Sequence, residues 1–416
     1  MRFVFTIPGW YLGGITTFCT NLSAGLRTAG HEVVLLRSSD GPLPSPELLN
    51  HLFDGCSFLP RGISRIATHV GQYVQEIERL KPDILVISDS SYVMAALPFI
   101  SRTVVRAPII HSAEPVFIQL ALTNRQWWDR AIAVSDSAAN AVLDLERDAR
   151  VSVCPLGVPT QAVDRNGANR RWGRPIQIIF VGRVVVPYKR LDRLPLIAQS
   201  LIERNVDYHW TVLGDGEYLP TLRRELVRLG LLDRFSLKGA VSPSAVAAAL
   251  GKAEVFVLPS DNEGMPQALL EAMAHGVVPV VSRIDGSTTG IVDDRKCGYL
   301  CEPSHPGAFA SAIDELARDP CLRRTMGNNA ANTIARQFSL EAFTSRFLSI
   351  IEEARWHASK RPQPLAPAGV SSVKMPPGCI GFWRCLRTET LGRLKRRLCG
   401  RRFVKAARAG ALTPAV

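Results

Sequence analysis

The feature that most narrows the fold is an alternation. Short apolar, β-branched runs recur along the chain, and stretches with helical periodicity separate them. A strand that is followed by a helix and then another strand pairs in parallel, because the helix supplies the crossover that parallel pairing needs. In the first half the strands read at roughly 2–7, 32–37, 83–88, 108–111, 131–134 and 151–154, with helices such as 15–29 and 68–80 between them. In the second half they read near 176–182, 209–213, 234–237, 254–258, 278–281 and 298–300, and helical segments fill 306–355. The polar, turn-rich link "PTQAVDRNGANRRWGRP" separates the halves. The expectation is an α/β chain of two doubly wound, Rossmann-like domains, residues 1–165 and 170–340, facing each other across a cleft. A helix at 341–358 is expected to pack back toward the first domain, and 359–416 to form a basic tail.

Composition supports this division. At 416 residues, 46% hydrophobic, the chain is long enough for two cores and too apolar for a disordered protein. The net charge of +13 is not spread over the surface. Thirteen of the 50 Lys/Arg but one of the 37 acids lie in 359–416, so the rest carries 37 basic groups against 36 acidic ones. A fold-wide basic surface for nucleic acid is therefore not expected. The nine cysteines are scattered and odd in number, and only Cys297 and Cys301 stand close, which points to reduced thiols in a cytoplasmic setting rather than a disulfide frame or zinc site. The start, "MRFVFTIPGWYLGG", lacks the sustained apolar core of a signal peptide, and no apolar run reaches the roughly 18 residues of a membrane span.

Four constellations could carry chemistry. In "DNEGMPQALLEAMAHG" a helix is expected at roughly 266–275, opened by Pro266 and closed by Gly276, between strands 254–260 and 277–282. Glu263 then lies in the loop at a strand's carboxyl end, where ligands of open α/β sheets bind. Glu271 lies within an otherwise apolar helix and needs a partner or an opening to a cleft. An acid favouring the helix dipole plus one exposed glutamate accounts for the pair equally well. Gly13 and Gly14 open a helix after the first strand and would let a phosphate approach its N–H groups, although a tight turn is the alternative. Arg183 and Lys189 follow strand 176–182 and could neutralise a diphosphate, or be solvated loop charges. His111 ends strand 108–111, where it could polarise a sugar hydroxyl or serve structurally.

Together the segments "GG" at 13–14, His111, "AVSDSAANAV" at 133–142, "PLGV" at 155–158, "GRVVVPYK" at 182–189, "VLGDGEYLPTL" at 212–222 and "EGMPQALLE" at 263–271 resemble the retaining glycosyltransferases of family four, which have the GT-B fold. The resemblance covers about 1–355. It implies transfer of a sugar from a UDP- or GDP-linked donor to a hydroxyl acceptor with retention, in surface polysaccharide or glycolipid synthesis. It implies that Glu263 contacts the donor sugar, that Glu271 accepts hydrogen bonds from ribose hydroxyls, and that Arg183 and Lys189 bind the diphosphate without a metal or other cofactor. Gly13 and Gly14 approach the diphosphate from the first domain, His111 lies near the donor sugar, and Gly264, Met265 and Pro266 complete the donor site. The first domain would then take a saccharide or lipid-linked acceptor. A donor-binding protein without turnover and a GT-B epimerase are the alternatives. Three positions depart from the pattern: Leu156 where Asn is common, Met265 where an aromatic is usual, and Arg190 where glycine is frequent. In the tail, Pro-rich 359–378 reads as a linker. Residues 380–408 read as an amphipathic helix at an anionic membrane surface on the cytoplasmic side, with a disordered basic tail that touches acidic partners nonspecifically as the alternative.

Overall fold

The computed structural model describes residues 1–10, 13–40, 46–59, 66–160, 175–186, 188–358 and 364–365, the side chains of 38–40 and 66 excepted. The readings of the linker at 359–378 and of the basic segment at 380–408 fall outside the described residues, apart from 364–365.

The first domain holds β1 (Arg2–Gly9), α1 (Gly14–Thr28), β2 (Glu32–Asp40), α2 (Pro46–Leu52), β3 (Gly55–Leu59), α3 (Ile66–Leu80), β4 (Ile84–Ser88), α4 (Ser91–Ala96), β5 (Val105–Ile110), α5 (Pro115–Ala121), β6 (Ala131–Ala133), α6 (Asp136–Leu143) and β7 (Val151–Val153). The second holds β8 (Ile176–Val181), α7 (Arg193–Glu203), β9 (Tyr208–Leu213), α8 (Leu219–Arg228), β10 (Phe235–Gly239), α9 (Pro243–Leu250), β11 (Val255–Leu258), α10 (Gln267–Ala274), β12 (Val278–Ser282), β13 (Tyr299–Cys301), α11 (Pro306–Arg318) and α12 (Pro320–Gln337), and α13 (Leu340–Ala358) follows.

Both sheets are parallel throughout, ordered β3-β2-β1-β4-β5-β6-β7 and β10-β9-β8-β11-β12-β13. The chain therefore reverses its direction of travel across the sheet between β1 and β4, and again between β8 and β11. At such points the loops leave for opposite faces and open a crevice at the strands' carboxyl ends. The two central strands β4 and β11 are buried at every residue, as strands covered on both faces must be. The long helix α13 leaves the second domain and lies against α1 and β5 of the first. Its Phe343 and Phe347 meet Phe18 and Phe3, at 5.8 and 6.3 Å between ring centroids. A fully buried ion pair, Glu254 with Arg323 at 3.0 Å, joins the residue before β11 to α12. Removing either partner alone would strand a charge in the core.

Three local readings change. β3 was not expected: "GCSFL" starts on glycine and alternates between half-buried and exposed residues, because it is an edge strand. His111 lies one residue beyond β5 rather than at its end. The helix expected over 266–275 spans Gln267–Ala274. Pro266, at φ −74° and ψ 100°, is its cap rather than its first residue, and its carbonyl accepts from the N–H of Leu269 at 3.0 Å.

Candidate active site

The loop from β11 to α10 brings Glu263 inward. The residue is 9% exposed, and its Oε1 accepts from Lys189 Nζ at 2.6 Å and from the Ser260 hydroxyl at 2.6 Å. Both contacts fall on one oxygen, so Oε2 has no hydrogen-bond partner among the described residues. Lys189 uses one of its three N–H donors on this contact. The pair brings together residues 74 positions apart on the loops after β8 and β11, the strands that flank the switch point.

Arg183 is exposed, and its guanidinium has no hydrogen-bond or ion-pair partner among the described residues. Its backbone is nonetheless fixed. Gly182 N–H donates to Leu213 O at 3.0 Å and Val184 N–H to Asp215 O at 3.0 Å, so the loop after β8 is bonded to the loop after β9. Gly214, at φ +130°, packs so closely there that an added Cβ would lie 1.8 Å from the Gly182 carbonyl oxygen. The "GDG" of the segment "VLGDGEYLPTL" is thus a backbone-on-backbone contact that supports the arginine.

Four charged side chains hold this loop to the Glu263 loop, and the sequence had not joined them. Arg190 forks onto Asp192 at 2.9 Å and onto Asp261 at 2.6 Å, and the buried Arg193 reaches Asp261 at 2.6 Å and the Pro259 carbonyl at 2.6 Å. Arg190 has φ 52°, in the left-handed region. That explains why glycine suits this position, and the forked pairs help to offset the strain of an arginine there.

Glu271 stands on the fifth residue of α10, half-buried, with no partner for its carboxylate among the described residues. Burial pushes its pKa up to about 7. The exposed-glutamate reading does not survive this placement.

The first domain closes the site. An added Cβ on Gly264 would lie 2.1 Å from the His111 carbonyl oxygen, so the backbone after Glu263 rests directly on the histidine. The His111 ring places Nε2 3.1 Å from Ser88 Oγ and stands edge-on to Phe18 at 5.0 Å. Burial lowers its pKa to about 4, so it is neutral near pH 7. Met265 Sδ accepts from Leu156 N–H at 3.0 Å, so two departures from the family pattern meet across the domain junction. Pro266 is buried beside them. Gly13 and Gly14 leave open space where a Cβ would go, and Gly13, at φ 161°, is in extended backbone that any residue adopts. Crowding among the described residues therefore does not explain the two glycines, and both are exposed at the start of α1.

Comparison with known proteins gives the family and the fold. Residues 12–162 match the model of Glycosyltransferase Family 4, and 166–333 match that of Glycosyl transferases group 1. Alpha-D-kanosaminyltransferase of Streptomyces kanamyceticus is 32% identical over 180 residues, 43% of this chain and 46% of its own length. The putative colanic acid biosynthesis glycosyltransferase WcaL of Salmonella typhimurium is 29% identical over 187 residues, again 43% and 46%. The matches thus span about half the length of these curated relatives. Anabaena Alr3699/HepE in complex with UDP and glucose shares the fold, with a TM-score of 0.70 at 16% identity over 85% of this chain and 99% of that one.

Proposed function

Because the chain belongs to the group 1, family 4 glycosyltransferases and has two parallel-sheet Rossmann-like domains, we propose that it moves a sugar from a UDP- or GDP-linked donor to a hydroxyl acceptor, with retention. The observation that carries this reading is the convergence at Glu263. A carboxylate, a lysine and, through Gly264, a first-domain histidine meet between the carboxyl ends of two sheets.

Each residue then has a task. Arg183 and Lys189 stabilise charge that develops on the departing diphosphate, with the N–H groups of α1 at Gly13 and Gly14 as further donors. Because these cations supply the positive charge, the reaction is proposed to need no metal. Glu263 faces the donor sugar with its free oxygen, while Lys189 and Ser260 hold the other. His111, neutral, orients a sugar hydroxyl. Glu271 accepts from the ribose hydroxyls, which accounts for a half-buried carboxylate with no partner among the described residues. Relatives named for colanic acid synthesis support a saccharide or lipid-linked acceptor of a surface polysaccharide or glycolipid. Release of nucleotide with transfer to a second molecule separates this reading from an epimerase, and turnover separates it from a binding protein. A panel of nucleotide sugars screened by thermal shift identifies the donor, since a ligand of the native state raises the melting temperature. No stabilisation by any UDP- or GDP-linked sugar would remove the reading.

Glu271 gives a sharper expectation. Glu271→Ala should weaken nucleotide binding by about 1.5–3 kcal/mol, the range for a hydrogen bond to a charged group. The sign of the pH dependence follows from burial. The folded pKa of about 7 lies above the unfolded value of roughly 4.3, so the free protein is favoured at low pH and loses that part of its stability as pH rises through 7. Ribose hydroxyls donate to the ionised form, so nucleotide affinity should fall as pH drops below about 7. Calorimetric titration across that range should show the fall in the parent chain and a flat profile in Glu271→Gln. A parallel fall in both would reassign the carboxylate.

The basic segment 380–408 is proposed to hold the enzyme at an anionic cytoplasmic membrane surface, at roughly 1 kcal/mol per basic residue in contact. The full chain should co-sediment with anionic vesicles at low salt, and a chain ending at Ala358 should not. Equal sedimentation of the two would remove that role.

A further inference from the structure

The charged groups that the second domain brings to the crevice include two cations, and the first domain's contribution is acidic. Asp89 directly follows β4, beside the switch point of the first sheet. Ser88 pairs in register with Ile109 of β5, so Asp89 stands level with Ile110, one residue before His111. Its neighbour Ser88 meets the His111 ring at 3.1 Å, and Gly264 of the second domain rests on the same histidine. Asp89 is 9% exposed, and its carboxylate has no hydrogen-bond or ion-pair partner among the described residues. Its φ of 48° lies in the left-handed region that aspartate tolerates better than most residues.

An ionised carboxylate withdrawn from water without a donor is costly, and no donor among the described residues around Asp89 calls for an acid. Burial, with the negative charge of Glu114 added, pushes its pKa up to about 7. The other titratable groups near it are neutral near pH 7. Cys19 of α1 has its thiol raised to about 12, and His111 after β5 is lowered to about 4.

We propose that Asp89 accepts the hydrogen bond of the hydroxyl that receives the sugar, a role that rests on the function proposed above. The neighbouring carboxylates repel a diphosphate, which Arg183 and Lys189 hold on the other side. A neutral hydroxyl compound suits them. A hydroxyl donating to Asp89 turns an oxygen lone pair toward the donor site, where Gly264 and His111 close the crevice. Only the ionised carboxylate is an obligate acceptor, so protonation removes this orientation.

Water is the simplest hydroxyl acceptor, so donor hydrolysis tests the role on the full chain with UDP-glucose and GDP-mannose. Asp89→Asn should lower kcat at least about tenfold and leave the affinities for free nucleotide and for donor unchanged. In the parent, kcat should fall on the acid side of about pH 7. Reading kcat at saturating donor keeps the titration of Glu271, which acts through affinity, out of the profile. Glu114→Gln should move the acid limb to lower pH, a shift that a purely structural aspartate would not produce, and this holds even if Asp89→Asn fails to fold. Parental kcat in Asp89→Asn, a limb that Glu114→Gln leaves in place, or donor affinity lost together with kcat would each overturn the assignment. In those cases intact nucleotide binding and hydrolysis by the parent would leave the proposed function standing. A parent that binds and hydrolyses none of the UDP- and GDP-linked sugars of the panel refutes that function and this role with it.

Discussion

Arg183→Ala is expected to cut turnover about a hundredfold or more while leaving the melting temperature nearly unchanged, since a group that stabilises developing charge is worth that much to the rate. The guanidinium is exposed and unpartnered among the described residues, so the folded state loses no contact with it. Lys189→Ala should give a similar loss of rate with a different stability signature. Its ammonium lies 2.6 Å from Glu263, whose side chain is 9% exposed, so removing it leaves a largely buried carboxylate with Ser260 as its remaining donor. An unsatisfied buried group costs about 1–3 kcal/mol, and more when charged. The pair of variants therefore separates catalysis from folding by two measurements, kcat and thermal melting. Near-parental rates in both would refute the diphosphate clamp. Insensitivity of the parent to EDTA is the companion expectation.

Gly264→Ala should abolish most of the activity through geometry alone. The new Cβ would meet the His111 carbonyl oxygen at 2.1 Å, its carbon at 3.1 Å and Ser112 Cα at 3.4 Å. All three are backbone atoms, so no side chain can swing aside and the two domains must part. Overpacking of this kind costs about 1–3 kcal/mol. A displacement of about 1 Å between Glu263 and the first domain can lower the rate about a hundredfold. Nucleotide binding, proposed to rest mainly on Glu271, Arg183 and Lys189 of the second domain, should change less than kcat. Parental kcat in the alanine variant would show that the contact between Gly264 and His111 is not part of the reacting arrangement.

The variants differ in how readily the sequence reveals them. Arg183, Lys189, Glu263 and Glu271 stand out because each lies beside a strand or helix whose pattern is local. Arg190 was visible only as a departure from a family pattern, and its left-handed φ and its forked pair with Asp261 explain it. Asp89 carried no signal at all, since "ISDSS" reads as an ordinary turn after a strand.

By itself the sequence determined two parallel α/β halves, the loops at their strand ends, and the helix that carries Glu271. It could do so because strand and helix periodicity, turn residues and caps are properties of neighbours in the chain. The edge strand β3 escaped because a half-exposed strand lacks the apolar run that identifies a buried one. Only the tertiary structure decided that Glu263 pairs with Lys189, that Gly264 rests on His111, and that Met265 meets Leu156. Those contacts join residues 74, 153 and 109 positions apart, fixed by sheet order and by the way one domain seats on the other. Local propensity holds no record of such a meeting. It arises from the burial of two sheets and the helix α13 against one another, which no single segment encodes.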